Sequence, residues 1–360
     1  MQFIDLKTQY QAYKSEIDQA MADVLASAQF ILGPPLRELE NELAAYVGVK
    51  HAIGCASGTD ALLLAMMALG VRPGDEVLVP DFTFIATAEA VALLGAVPVF
   101  VDVEERTYLM DRSDLARKRS PRSKGAIPVS LFGQCADCEP IPGLWMIEDA
   151  AQSFGATQHG RKSGALTAVA TTSFYPAKPL GCYGDGGAVF TDDDSLAAEI
   201  RCLLNHGQSQ PYRHARVGIN GRMDTLQAAV LRVKLRHLET ELAARQRVAE
   251  RYSAQLSDVA VTPWVKPGHR SVWAQYTIRV ANREEVCAHL KSKGIPTAIH
   301  YPMPLHRQKA FAYLGVSDQS CPVACKISTE VMSLPMHPFL SDAEVDQIAS
   351  AVREVARMPC

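Results

Sequence analysis

The sequence predicts an α/β fold: a large domain built on a mostly parallel sheet covered on both faces, then a smaller C-terminal α+β domain. Three features point there. Short apolar runs alternate with helical patterns between about residues 52 and 147. A long helix, from Asp224 to about Tyr252, carries Leu231, Leu235, Leu238 and Leu242 on one stripe. Beyond it the pattern shifts to alternating strand residues and short helices. The long helix reads as the bridge, with residues 1–245 in the large domain and 246–360 in the small one.

Tyr10, Tyr13, Ile17, Met21 and Val24 recur at helical spacing and predict an amphipathic first helix. Pro34-Pro35 interrupts it, and a second helix runs through Leu36, Leu39, Leu43 and Tyr46 to a stop at Gly48. Ala52 to Cys55 reads as a strand, and Ser57-Gly58-Thr59-Asp60 opens a helix to Leu69. Glu76 to Val79 is a strand, Ala86 to Leu94 a helix and Val97 to Val101 a buried strand. Two further strands are expected at Ala126 to Leu131 and Leu144 to Ile147. In the C-terminal part, Val272, Ala274, Tyr276, Ile278 and Val280 alternate as a strand, Val286 to Leu290 is helical, and Ala298-Ile299 is a second strand. Ser341 to Glu344 forms a capping box before Val345, Ile348, Val352 and Val355, the last helix.

Composition narrows the class. A net charge of −3 offers no electrostatic case for nucleic acid or an anionic membrane as partner. No apolar run approaches ~18 residues, and the N-terminus lacks the basic start and apolar core of a secretory signal. Nine scattered cysteines, an odd number, point to a reduced, cytoplasmic protein. Cys135 and Cys138 form a lone CxxC, and Cys321 and Cys325 lie far away, so ordinary thiols are expected and no metal site.

The chemistry gathers around Thr172 to Thr191, TSFYPAKPLGCYGDGGAVFT. Lys178 stands in apolar, Pro- and Gly-rich sequence with no carboxylate within six residues. A lysine in such a setting tends to lose its proton, and a neutral amine can form a Schiff base with a carbonyl. In isolation a tight turn with a solvated lysine fits as well. Three companions change the balance. Ser57-Gly58-Thr59, between a strand and a helix start, offers unpaired N–H groups to a phosphate, though such N-caps are common. Trp145 to Asp149 is an apolar strand delivering carboxylates at its C-terminal end, where one could hold a heteroaromatic nitrogen protonated; Asp149 could equally cap a helix. Phe82-Thr83-Phe84 follows a strand and could supply a stacking ring, or be core. With Ser173 available to the same phosphate, the set makes up the protein's half of pyridoxal phosphate chemistry.

The stretches FIDLKTQY, FILGPPLRELE, SGTDALLLAMMALG, DFTFIATAEA, IEDAAQSFGA, SFYPAKPLGCYGDGGA, GINGRMDTLQAA, IHYPMPLH and SLPMHP span nearly the whole chain. On them the sequence resembles the sugar aminotransferases of the DegT/DnrJ/EryC1/StrS family, a branch of the aspartate-aminotransferase-like, fold type I pyridoxal phosphate enzymes. The resemblance implies a seven-stranded type of sheet and pyridoxal 5'-phosphate as cofactor. It implies that Lys178 forms the internal aldimine, that Asp149 pairs with the pyridine nitrogen, that Phe84 stacks on the ring and that Gln152 lies beside it. Ser173, Gly58 and Thr59 would hold the phosphate, with Asn220 from a neighbouring subunit. A homodimer or dimer of dimers with shared active sites is expected.

Within the family, PVSLFGQC, GRMDTLQ, SVWAQYT and IHYPMPLH are most similar to aminotransferases of UDP-2-acetamido-2-deoxy-3-keto-hexuronate, which make a 3-amino sugar for surface polysaccharide such as lipopolysaccharide O-antigen. A diphosphate and a uronate want cationic and hydroxyl partners. Tyr183, Arg213, Arg222, His300 and Tyr301 are the candidates, and His300 also fits as a plain strand-end histidine. The amino donor implied is L-glutamate, leaving as 2-oxoglutarate in a ping-pong scheme with Lys178 as anchor and acid–base group. An aminotransferase of another nucleotide-linked 3- or 4-keto deoxysugar is the alternative. Dehydratases of the family resemble one another in a histidine where Lys178 stands, no cysteine loop supports a desulfurase, and no basic face or helix-turn-helix supports a regulator without turnover. One departure is visible: only Phe132 to Gly143, with Pro140 and Pro142, connect two strands where relatives have a full crossover helix. That length closes a parallel connection but leaves room for no more than a helical turn.

Overall fold

A computed structural model describes residues 1–359. Helix α1 (Leu6–Ser27) starts where the Asp5 carboxylate accepts the Thr8 N–H at 2.9 Å. Helix α2 (Pro34–Val47) has proline in its first turn and ends at Gly48, whose φ of 87° suits a residue without Cβ. Then come β1 (His51–Cys55), α3 (Gly58–Ala68), β2 (Glu76–Pro80), α4 (Ala86–Leu93), β3 (Val97–Val101), α5 (Arg112–Lys118), β4 (Ser123–Ala126) and β5 (Trp145–Asp149). A short hairpin, β6 (Thr157–Gln158) and β7 (Arg161–Lys162), precedes β8 (Val169–Ser173), β9 (Gly187–Thr191) and α6 (Asp194–Leu203). A second small hairpin, β10 (Gln208–Gln210) and β11 (Arg213–His214), leads to the 32-residue α7 (Thr225–Leu256). The rest comprises β12 (His269–Arg270), β13 (Tyr276–Arg279), α8 (Arg283–Ser292), α9 (Pro322–Glu330), β14 (Val331–Leu334) and α10 (Asp342–Arg353), which opens with the expected Ser341–Glu344 capping box.

Seven strands form one sheet in the order β1-β9-β8-β5-β4-β2-β3. Strand β9 runs against both its neighbours, and the other six run together. All five residues of β2 and of β9 are buried, as expected of strands covered on both faces. The common direction brings Cys55, Pro80, Asp149 and Ser173 to one edge, and that edge carries the site.

Helix α7 is shared between two cores. Leu231, Leu238 and Leu242 pack with the sheet and its helices, whereas Val248, Ala249, Tyr252 and Leu256 pack with β13, α8, β14 and α10. Its first half also holds α1, through Ile17 against Val230 and Val233.

Three expected strands are shorter than their apolar patterns. The run from Ala126 to Leu131 leaves the sheet at Ala126: Pro128 has no N–H to pair, a single bridge joins Val129 to Asp149, and Leu131–Gly133 is a 3-10 turn. The alternating run from Val272 pairs only from Tyr276 to Arg279, because Trp273 adopts φ 51° and Val272 N–H goes to the Gly133 carbonyl. Ala298-Ile299 makes one bridge, Ala298 to Ser333, and the strand that does pair with β13 is β14.

The connection from β4 to β5 holds only that 3-10 turn. Its Ile141 and Leu144 pack over Leu78, Val101, Met110, Ala126 and Met146 in place of a helix. A cavity of about 570 Å³ stays open beside it, lined by Cys138, Pro140, Trp145, Leu166 and Val169 among others.

Leu242 joins α7 to the main core and touches the Gly155 turn after β5. Leu242→Ala is expected to lower the unfolding free energy by about 2–5 kcal/mol in urea titration. A loss below about 0.5 kcal/mol would mean that this stretch of α7 is not anchored as described.

Candidate active site

Asp149 ends β5, 5% exposed. Its Oδ2 accepts from the Thr87 hydroxyl of α4 at 2.9 Å and its Oδ1 from the Ala151 N–H at 3.1 Å, so its orientation is fixed from two sides. Burial raises its pKa, opposed by those two hydrogen bonds and by the charge of Lys178. Lys178 lies beyond the neighbouring strand β8, on a loop that turns at once: Lys178 N–H donates to the Tyr175 carbonyl (2.8 Å) and Cys182 N–H to Phe174 (2.8 Å). Burial pushes the Lys178 amine down to about 8, with Asp149 pulling the other way. The amine thus exchanges protons near neutral pH, and the reason is its apolar enclosure.

Gly58 opens α3 beside Ser173. Ser57 takes the Asp60 N–H on its hydroxyl and the Ala61 N–H on its carbonyl, both at 3.0 Å. The N–H groups of Gly58 and Thr59 remain as first-turn donors that a helix cannot satisfy itself. A Cβ on Gly58 would stand 2.6 Å from the Ser173 Cβ, and one on Gly187 would stand 2.4 Å from the Ser57 carbonyl oxygen. Helix start, strand end and Gly-rich run meet so closely that only backbone fits between them. A concave set of amides plus the Ser173 hydroxyl matches a phosphate, and a carboxylate and an amine lie beyond it. These residues therefore fit a phosphorylated aromatic aldehyde.

The segment after Ala298 brings His300 and Tyr301 to the same corner. Gln152 Nε2 donates to the Tyr301 hydroxyl at 3.1 Å, and Gln152 Oε1 accepts the Phe132 N–H at 2.9 Å. The Tyr301 ring lies 6.2 Å from that of Phe84, which is 54% exposed, and burial raises the Tyr301 phenol. His300 Nδ1 lies 2.9 Å from the Ser333 hydroxyl; burial lowers its pKa, and the Lys178 charge lowers it further. Lys178, Asp149, Gln152, Phe84, His300 and Tyr301 are thus gathered with the Gly58–Thr59–Ser173 corner.

The remaining candidates stand apart within one chain. Arg213 is exposed on the β10–β11 hairpin, and Asn220 is exposed beside its bridge to Asn205. Arg222 pairs with Cys55 at the end of β1, with Nη1 donating to Asn205 Oδ1 (2.5 Å) and a buried Nε without partner. The Tyr183 ring packs edge-on to Tyr10, 6.2 Å away, and its buried hydroxyl has no partner among the described residues.

Sequence reading missed Thr87, whose β-branched chemistry in an Ala-rich helix gives no hint of a carboxylate 62 residues on. It also missed a second buried lysine, Lys234 of α7, whose amine burial also pushes down to about 8. The signal was available: Lys234 falls on the Leu231–Leu238 stripe. Lys234 donates to the Gly181 carbonyl and has no contact with Asp149, so it is not the candidate amine.

The cysteines read as ordinary thiols are all free among the described residues, and burial raises those of Cys135 and Cys138. Cys321 and Cys325 lie by a polar clasp. Asp81, directly after β2, accepts the His306 N–H at 2.9 Å and faces His306 Nδ1 at 2.6 Å; His306 Nε2 lies 3.0 Å from Asp318. His306, Asp318 and Cys325 come within ligand reach of one another. Arg307 takes both Asp318 oxygens at 2.8 Å, and Lys118 donates to Cys321 at 3.2 Å, so cations of the protein already serve these groups. The clasp ties the Phe82–Phe84 segment after β2 to the segment carrying His300 and Tyr301.

Comparison with known proteins agrees with this geometry. The model of the DegT/DnrJ/EryC1/StrS aminotransferase family matches residues 11–353. The chain is 53% identical to the UDP-2-acetamido-2-deoxy-3-oxo-D-glucuronate aminotransferase of Pseudomonas aeruginosa, over 98% of this chain and 99% of that protein. It superposes with TM-score 0.96 and 41% identity on DesV of S. venezuelae in complex with a ketimine intermediate, over 98% and 97% of the two chains. With NtdA of Bacillus subtilis bearing its cofactor PMP, the TM-score is 0.88 at 29% identity, over 95% and 82%.

The two carboxylates raise the His306 pKa above its ordinary value of about 6.5. The charged part of the clasp is therefore fully present below that value and is lost as pH rises through the folded pKa. Asp81→Asn is expected to cost about 3–5 kcal/mol at pH 6 and measurably less at pH 9, by urea titration at both. An equal loss at the two pH values would contradict a charged clasp.

Proposed function

The chain belongs to the DegT/DnrJ/EryC1/StrS aminotransferase family, and from that premise we propose that it carries an amino group from L-glutamate to the 3-keto carbon of a UDP-linked 2-acetamido-2-deoxy-hexuronate. It is a pyridoxal-phosphate-dependent transaminase. The observation that carries the catalytic reading is the enclosed Lys178 amine, with a pKa of about 8, set against the buried carboxylate of Asp149 at the C-terminal edge of the sheet. The choice of sugar is supported by the 53% identity to the Pseudomonas aeruginosa enzyme.

When bound, pyridoxal phosphate supplies an aldehyde to take up the amino group and a ring to spread the charge that develops. The chain would do the rest. Gly58, Thr59 and Ser173 would hold the phosphate. Asp149, oriented by Thr87 and Ala151, would keep the ring nitrogen protonated. Phe84 would cover the ring, with Gln152 beside it. Lys178 would anchor the cofactor and, once released by the incoming amine, would take the proton from the donor's α-carbon and return it to the cofactor carbon that had borne the aldehyde.

In the same proposal Arg222, Arg213, Tyr183, His300 and Tyr301 meet the diphosphate and uronate. Asn220 would act from a second copy, forming a homodimer with shared active sites. The exposed apolar residues Phe30, Ile31, Leu32, Tyr175 and Phe84 support such an assembly. Residues 1–245 would form the cofactor-binding domain and 246–360 the smaller one. No helix among the described residues is long and apolar enough to cross a membrane. Free thiols favour the cytoplasm as the site of action, with surface polysaccharide such as O-antigen as the destination of the product.

Lys178→Ala is expected to lower kcat by at least about 10³-fold while cofactor still binds at the phosphate corner; turnover near wild type would exclude Lys178 as the catalyst. In a panel of keto-sugar nucleotides assayed with glutamate, the 3-keto uronate should exceed neutral 3-keto and 4-keto sugars by about tenfold or more in kcat/KM, the effect of ~1.4 kcal/mol. Equal rates across the panel would sink the choice of a uronate.

A further inference from the structure

The loop that carries Lys178 has no regular structure of its own, yet its amine must stand at a fixed place relative to Asp149. Its return limb, Gly181 to Gly184, lies along α7. From the first turn of α7, Gln227 makes both bonds that a neighbouring strand would make to Tyr183: its Oε1 accepts the Tyr183 N–H at 2.9 Å, and its Nε2 donates to the Tyr183 carbonyl at 3.4 Å. Two helical turns on, and on the same face, Lys234 donates to the Gly181 carbonyl. Lys234 is 3% exposed, and its ammonium lies 5.0 Å from the centre of the Tyr183 ring.

A buried lysine is costly in a helix that a leucine would suit. Its hydrogen bond goes to the Gly181 carbonyl and not to a carboxylate; Glu241, two turns further along α7, acts on it only through its charge and is itself engaged by Gln9 at 2.8 and 2.9 Å. What Lys234 does is reach a backbone carbonyl that no neighbouring strand reaches. Gly181 itself is pinned from the other side, since a Cβ there would lie 2.5 Å from the Pro176 carbonyl oxygen. Pro176 and Gly181 bracket Lys178, so displacing Gly181 displaces the amine.

We propose that Gln227 and Lys234 are positioning residues of the transamination: from one face of α7 they hold the backbone of Tyr183 and Gly181 and so set where the Lys178 amine stands against Asp149. Neither touches the reacting atoms. The inference rests on the reading of Lys178 as the catalytic amine, and the test separates the two.

In cofactor-free protein, trace labelling with acetic anhydride across pH, followed by peptide mapping, gives the titration midpoint of Lys178. The wild-type midpoint is expected near 8. In Gln227→Leu and in Lys234→Met, loosening of the loop admits water and moves that midpoint upward, towards the ~10.4 of an exposed lysine. In the holoenzyme the same variants should lose about tenfold in kcat, with KM for glutamate within about twofold. Lys234→Arg, which keeps a donor for the Gly181 carbonyl, should restore both quantities. Gln227→Glu, which keeps the acceptor for Tyr183 N–H but loses the donor, gives a smaller shift and serves if the apolar variants fail to fold. An unchanged midpoint in folded variants overturns the proposal, and so does a fall in kcat without a shift. A shifted midpoint with unchanged kcat overturns the reading of Lys178 and, with it, any role of the clamp in the reaction.

Discussion

Everything at this site depends on enclosing an amine and a carboxylate together. Burial favours the neutral form of both: it pushes Lys178 down to about 8 and raises Asp149 from its ordinary value. Each charge opposes the other's shift, so the pair keeps a balance that neither would hold alone. The amine stays able to give and take protons near neutral pH, while the hydrogen bonds from Thr87 and Ala151 favour the ionised form of the carboxylate against its burial.

The sheet makes that enclosure possible. Parallel strands end together, so Asp149 of β5 and the loop after β8 face the same edge as the start of α3. Closeness at the corner is bought with glycine: at Gly58 and Gly187 any side chain would collide with Ser173 or with the backbone of Ser57. The segment with His300 and Tyr301 follows α7 in the chain and is fastened by the Gln152–Tyr301 bond and the Asp81–His306 clasp. Fold and site are therefore linked through a few side chains that do no chemistry.

The centre of this arrangement was legible in the sequence because its signals are local. Lys178 in apolar company, carboxylates at the end of an apolar strand and a Ser-Gly-Thr helix start each occupy a few consecutive residues. What was not legible depends on distant pairing. The direction of β9 cannot be read from a five-residue apolar run, and it follows a Gly-rich return that only the folded chain defines. The strands expected at Ala126 and Val272 were cut short by Pro128 and by the left-handed turn at Trp273, which periodicity does not register. Gln227 meets Tyr183 across 44 residues and Lys234 meets Gly181 across 53, so neither contact leaves a mark in either segment alone. Arg213, expected at the sugar, and Asn220, expected at the phosphate from a neighbouring subunit, are both exposed and stand apart from the Lys178 corner within one chain.

Two lysines in this chain are buried with similarly lowered pKa values, and only one faces Asp149. Reduction of the pyridoxal-phosphate-loaded protein with sodium borohydride, followed by mass mapping of its peptides, decides between them. One reduced cofactor per chain is expected, on the peptide containing Lys178. Its appearance on Lys234 or another lysine, or on none, would mean that Lys178 is not the amine that holds the cofactor.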